Sequence, residues 1–573
     1  MSTASTTPAP TQHKAYTAPT KQIWGWAIGR IAEFGLVAPT GLAMNVFTIG
    51  FGLSPVVISW CMMLPRLVDG ILDPIIGHWS DETHTRWGRR KPYLIGGALV
   101  GAVFLASWWW ANPTWSSRTQ FLYIGLIGMC LYLCYGIYAM AWNAVGFELS
   151  DDYHERAKVQ AIGGFILAIV QFGNNWIYWL ALLPVFGSVI WGMRWIGAAI
   201  AALVVISAII TTKMTQERFT HTNRKHVAIG SALKSAIKNR PFLYLMLMKI
   251  CEILGGRLSG GLAFYVGVFY VCQGDQSLAT KIGGIGGTLG LIWNFLALPL
   301  VKPASQWIGK RGALIVGQTI GFACALIAPF ITRPDHPYWQ MIPGLIVTPL
   351  LVITGTIAGS ILPDICDVDE LATGQRREGL FTAVQGFISK LEISLAIVLV
   401  GYIVSWSHVD TKIGHRWAGL LAGKPGAFPV GETAVFELKP AKVEAVTLTG
   451  VGVEKYELFV SNESPTAGFS PVGLSEAFFA RYLKIKLAAG KDITLRELRI
   501  GDQHPKLVAS QPPMLIQKRL FWMVMTFGIV FTFLTLVMTI LFPLTEEQMK
   551  EVRRQLDERH HAHPETAPDI DSP

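Results

Sequence analysis

Charge is what this sequence has least of: 15% of its 573 residues are Asp, Glu, Lys or Arg, against roughly 25% in an ordinary soluble domain. Beside an apolar share of 51%, that scarcity excludes a soluble enzyme, a disordered chain and a collagen-like one. Cysteines are also few. The seven (Cys61, Cys130, Cys134, Cys251, Cys272, Cys324, Cys366) lie in or beside apolar stretches without metal or redox spacing, so neither a disulfide framework nor a thiolate metal site is expected. No nucleophile–base or metal constellation stands out, which argues against enzymatic chemistry. Residues 1–20 hold no apolar run and are expected to be a flexible cytoplasmic tail, not a signal peptide.

What is present is a series of apolar blocks of about 20 residues or more, long enough to cross a ~30 Å hydrocarbon layer. Bounded by Gly, Pro or charge, they predict helices at 23–50, 53–80, 92–111, 119–147, 158–185 and 190–212. After a polar basic stretch, 213–240, six more follow at 241–272, 282–303, 312–332, 338–363, 379–406 and 517–543. The expected fold is an all-α membrane protein of twelve helices in two six-helix halves, 21–212 and a second running from 241, its last helix lying within 514–545. A cytoplasmic tail is expected over 546–573.

The formal charge of +10 is read as topology, not as a nucleic-acid partner. Arg86, Arg89, Arg90 and Lys91 lie between helices 2 and 3, and Lys213, Arg218, Arg224, Lys225, Lys234, Lys238 and Arg240 in the central loop. Lys310 and Arg311, then Arg376 and Arg377, mark later loops on the same side, while the opposite short loops carry only Arg118, Lys281 and Arg333. Short basic loops stay in the cytoplasm, so both termini are expected there, in a bacterial inner membrane. Residues 407–513 break the pattern. They alternate as strands at 434–438, 443–448, 456–461, 481–487 and 493–500, a small all-β domain inserted between helices 11 and 12 and lying outside. Its closing strands resemble a discoidin-type, galactose-binding-like sandwich, which implies either a glycan site or a cap.

Helix 2 carries the main chemistry. Asp69 and Asp73 are spaced i,i+4 on one face with Arg66 a turn earlier. A charge in the bilayer costs roughly 2.5–3.5 kcal/mol on insertion scales, so two carboxylates there point to a cation, a proton or a partner. The string then runs through Gly77, Asp81, Arg86, Gly88, Arg89, Arg90 and Pro92. This pattern closely resembles the glycoside–pentoside–hexuronide:cation symporter family of the major facilitator superfamily. Lys310-Arg311 repeats it weakly in the second half, and Glu148–Arg156, Leu362–Asp367, Arg376–Gly379 and Phe542–Glu547 are family-like strings too.

The resemblance implies alternating access and cation-coupled symport of a sugar, glycoside or uronide by a monomer, with no cofactor beyond H⁺ or Na⁺. Matched to the melibiose permeases of the family, Glu33 falls on a sugar-binding carboxylate, Asp69 and Asp73 on cation ligands (metal ligands only for Na⁺), and Lys390 on a helix 11 lysine. Leu72 replaces an Asn between the two Asp, removing an oxygen that hard cations favour, so H⁺ is preferred. Family sugar contacts are replaced at Ala139, Asn143, Gly164 and Gly355. Substitutes come from Trp142, Asn143 and Asn175, which offer a ring face and amide groups to a sugar, and from Arg257, suited to a carboxylate. Lys249 and Glu252, i,i+3 on helix 7, either neutralise each other or take part. Arg86–Arg90 and Asp81 are expected to latch the cytoplasmic loops. Two other readings stay open: a glycan-sensing or tethering membrane protein using the β-domain, and a lipid or drug carrier on the same fold.

Overall fold

Long apolar blocks with capping residues at their starts fold as long helices. The computed structural model describes residues 18–83, 85–150, 153–217, 236, 239–375, 377–439, 443, 445–465, 468–473, 477–501 and 505–562, without the side chains at 71, 73–75, 77–82, 153, 154, 453, 454, 490–492 and 560–562. In the first half, α1 (Thr20–Val37) and α2 (Thr40–Asn45, continued by a π turn, Val46–Gly50) are separated at Pro39, whose ring cannot donate to the helix ladder. Then come α3 (Pro55–Glu82), α4 (Lys91–Trp108), α5 (Ser117–Phe147), α6 (Tyr153–Ala181) and α7 (Val189–Met214). Ser116 and Ser188 cap α5 and α7 by accepting the N–H of Thr119 and Trp191.

The second half holds α8 (Arg240–Val266), α9 (Gln276–Ala297), α10 (Val301–Ile331), α11 (Ile342–Gly359), α12 (Ile361–Thr373) and α13 (Glu378–Trp406). Asn239 and Asp275 cap α8 and α9. The two expected spans at 282–303 and 312–332 are joined by a 3-10 turn, Leu298–Leu300, and the run is broken at Gly309 (φ 71°, ψ 164°), a backbone shape that favours glycine. After α14 (Ile413–Leu421) and the sheet come α15 (Met514–Ile540) and α16 (Glu546–Ala562). The expected cytoplasmic tail therefore begins as a helix. Arg218, Arg224, Lys225, Lys234, Lys238 and Arg376 lie outside the described residues.

Among the described residues, eight helical stretches are long and apolar enough to cross a membrane. The chain is an integral membrane protein. Within the first half α1 packs on α7 and α4 on α5; across the halves α3 packs on α13 and α6 on α9.

The inserted region forms one antiparallel sheet in the order β4-β3-β5-β2-β6, with β1 paired to β5. Its strands are β1 (Gly426–Ala427), β2 (Thr433–Glu437), β3 (Val446–Ser461), β4 (Ser470–Val472), β5 (Tyr482–Ile500) and β6 (Lys506–Gln511). Two expectations are corrected here. The stretches near 443–448 and 456–461 are one strand, β3, and those at 481–487 and 493–500 are one strand, β5. Register shifts between Thr449 and Tyr456 bend the pair, as bulges do, so no turn is needed. Among the described residues a single six-stranded sheet, with α14 against β5 and β6, stands where a sandwich was expected. Leu483, Ile485 and Leu487 on β5 are fully buried in a core shared with Trp417 of α14 and with the helical bundle.

Candidate functional site

Trp26, Arg30 and Glu33 follow one another along a face of α1. Trp26 stacks on Trp142 of α5 with ring centroids 4.6 Å apart and planes 5° off parallel. Each indole N–H donates to the other residue's carbonyl, at 3.0 and 2.9 Å. Gly29 and Gly146 make the stack possible, since a Cβ at either would fall 2.7 Å from an indole atom. The Arg30 guanidinium lies 4.6 Å over the Trp142 ring and 3.5 Å from Glu33. Tyr135 donates to the other Glu33 oxygen at 3.4 Å. Glu33 is thus held between a cation and a phenol. Trp142 is fully buried, supporting Arg30 with its ring rather than presenting a free face to a sugar.

On α3, Asp69 is 6% exposed and receives the Lys390 ammonium of α13 at 3.1 Å. Gly70 leaves a path for that lysine: a Cβ there would meet Lys390 Cδ at 3.1 Å. The spacing on helix 2 suggested Arg66 as the neighbour of Asp69, but the ion pair forms across the halves. Arg66 lies instead within electrostatic reach of Arg257 on α8, one guanidinium from each half. The side chains of Asp73, Gly77 and Asp81 lie outside the described residues.

Asn143 is exposed and donates to Ala139 O of its own helix at 2.9 Å. Asn175 is half-buried against Gly287 of α9, where a Cβ would sit 2.6 Å from its amide, and next to it Trp176 Nε1 donates to Thr288 at 3.0 Å. These contacts close the halves toward the end bearing the sheet. Thr48 and Tyr265 share a 2.8 Å bond there, and a Cβ on Gly401 would lie 2.4 Å from Ser59 Oγ. The sheet region touches both halves. His415 Nε2 is 2.9 Å from Ile49 O, and Gln511 donates to Gln273 O.

At the opposite end the basic loops bind within their own halves. Arg89 and Arg90 reach Glu148 at 3.1 and 2.6 Å. Glu217 accepts the backbone N–H groups of Arg89, Arg90 and Lys91 at 2.6–2.9 Å. Gly88 turns the chain there at φ 114°, and a Cβ on it would meet that carboxylate at 2.8 Å. Arg86 is exposed. The second half repeats the device, with Lys310 on Asp364 at 2.6 Å and Arg553 on the same carboxylate at 2.8 Å.

Sequence reasoning did not anticipate Trp26, Arg30, Tyr135, Glu217 or Glu392. Glu392 had a signal, a carboxylate inside the apolar run 379–406 two residues after Lys390. The other four were ordinary side chains until packing gave them partners.

A family model described as MFS/sugar transport protein matches residues 33–420 and so ends before the first strand. An uncharacterized symporter of Synechocystis is 24% identical over 449 residues, 61% of this chain and 79% of its own. A glucuronide carrier protein homolog of Escherichia coli is 22% identical over 411 residues, 68% and 84% of the two chains. An isoprimeverose transporter of Lactiplantibacillus pentosus is 26% identical over 373 residues, 63% and 75%.

Proposed function

This chain belongs to the MFS sugar transport family, in its glycoside–pentoside–hexuronide:cation symporter branch, and we propose that it moves a sugar, glycoside or uronide across the membrane in symport with a proton. It is a transporter and not an enzyme. The observation that carries the reading is the Asp69–Lys390 pair, which ties a buried carboxylate of one half to a cation of the other. A proton arriving on Asp69 removes the attraction and frees Lys390, so that cation binding and the meeting of the halves are one event. Na⁺ fits less well, because the ammonium already occupies an Asp69 oxygen and Leu72 offers none.

The substrate is an acidic sugar. Arg30 is paired with Glu33 and Lys390 with Asp69, whereas Arg66 and Arg257 lie within electrostatic reach of one another. These two guanidiniums suit a uronate carboxylate, and Glu33 with Asn143 suits its hydroxyls. Trp142 serves through Arg30.

In this reading the chain is a monomer that crosses the inner membrane twelve times, the sheet outside and both termini inside. The basic residues gather at the end away from the sheet, as cytoplasmic loops require. Support for an inward-open state comes from the cross-half bonds toward the sheet end. The sheet region then caps the outer mouth. Uptake of labelled sugars into proteoliposomes, with pH and Na⁺ gradients imposed separately, tests the function. Accumulation of a uronide driven by the pH gradient, and its loss in the Asp69→Ala/Asp73→Ala variant, is expected. Coupled uptake unchanged in that variant would overturn it.

A further inference from the structure

We propose that Glu252 and Glu392, together with Lys249, form a second proton-binding site inside the C-terminal half, linked through α13 to the Asp69–Lys390 pair. Its role in transport rests on the symport reading above, whereas proton binding at the site does not.

The starting point is α13 itself. Lys390 and Glu392 are two residues apart, so they project about 200° from each other around a helix of 3.6 residues per turn. Lys390 reaches the first half at Asp69. Glu392 turns into its own half: it is 4% exposed, one of its oxygens, Oε2, has no hydrogen-bond partner, and Ser389 serves the group. Of the charged groups on the elements packed against α13, Lys249 and Glu252 of α8 act on it. Arg257 of the same helix lies within electrostatic reach of Arg66 of α3, Asp69 is bonded to Lys390, and on α12 Asp369 is bonded to Arg377 and Asp364 to Lys310 and Arg553. Glu252 Oε1 in turn accepts from Gln318 of α10 at 3.4 Å.

The cluster therefore holds two carboxyls and one ammonium. An unpaired carboxylate oxygen in the bilayer interior is costly. One proton removes the surplus charge and converts an acceptor into a donor that the second carboxylate can accept. The proton adds to a carboxylate oxygen as an O–H bond and leaves again as H⁺, with no other bond changed. Nothing else on the cluster is needed.

A route to the site is present. α8, α10, α11 and α15 line a half-open cavity of about 370 Å³ that reaches Glu252 and Gln318 and extends to Gln340. A Cβ at Gly256, Gly260, Gly321 or Gly344 would meet nothing within 4 Å. These glycines are not explained by close packing; they keep the space open. The wall is mostly apolar, and Glu252, Ser259, Gln318 and Gln340 are among its polar groups.

Infrared difference spectra of the full-length protein in liposomes, acid against alkaline, test this. A protonated-carboxyl band is expected that persists in Asp69→Asn and is lost in the Glu252→Gln/Glu392→Gln variant. A band unchanged in that double variant would overturn the site. Should the double variant not fold, Glu252→Gln, which keeps a partner for Gln318, is read in the same way. Uptake of methyl glucuronide under a pH gradient separates the two claims. Wild-type protein that shows no proton-driven uptake but keeps the assigned band refutes symport and leaves the site standing.

Discussion

The Lys390 ammonium lies 3.1 Å from Asp69 Oδ2 although the two residues are 321 positions apart. Arg66 is one helical turn from Asp69 and does not take that place. Each half therefore presents one member of the pair, and separating the halves near this level exposes two charges.

Removing one member is expected to cost more than removing both. Lys390→Ala leaves a buried carboxylate without its ammonium, with a loss of about 3 kcal/mol, the lower end for a broken buried pair because Lys390 is partly solvated. Thermal melting in detergent should show a lower Tm for Lys390→Ala than for the Asp69→Asn/Lys390→Ala variant.

Trp142→Ala should lower stability by about 3–5 kcal/mol, as large core truncations do. It removes the Trp26 stack and the support for Arg30 together. Trp142→Phe should keep most of the stability while weakening sugar binding, since the lost indole N–H no longer fixes Trp26. Melting and equilibrium binding on the two variants separate these effects.

Gly401→Val places atoms where Ser59 Oγ, Ser59 Cβ and Pro55 O already stand, 2.4–2.7 Å from a Cβ. The result expected is separation of α3 from α13 at the sheet end. Thiol-labelling of a cysteine placed at Tyr265 should speed up at least several-fold against the same cysteine in the parent.

The sheet region carries its own pH dependence. Burial pushes the Glu432 carboxyl up to about 7, with Arg416 and the Trp417 indole N–H pulling it back. The folded protein thus holds this proton to higher pH than the unfolded chain, where the group titrates near 4.5. Its contribution to stability is complete below that value and fades as pH rises to about 7, by about 3 kcal/mol. Melting of the sheet region against pH should show this slope, and Glu432→Gln should flatten it.

Arg66→Ala and Arg257→Ala should each raise the KM for a uronide by about 10- to 100-fold, the size of a lost charged hydrogen bond. A neutral glycoside should change little. Equal losses for both sugars would count against the acidic-substrate reading.

Hydropathy and loop charge made the helices and the inserted strands readable, because both report on solvent contact residue by residue. The Arg89–Arg90 string was readable as well, and its partner Glu148 stood in a second family-like string. Glu217 was not, since its role depends on a turn at Gly88 that brings three N–H groups around one carboxylate. The β3 and β5 strands were each read as two, because Gly450, Gly452 and Gly490 look like turns until pairing across the sheet absorbs them as bulges.

The sequence by itself determined that this chain enters a membrane and which family pattern it follows, since apolar length and motif spacing are local properties. Only the tertiary structure decided that Asp69 belongs to Lys390, that Trp142 supports Arg30, and that Glu392 is buried within electrostatic reach of Lys249 and Glu252. Those partnerships depend on distances between helices far apart in the chain. The few charges that the composition allows are set by packing against one another, and no spacing along a single helix specifies which.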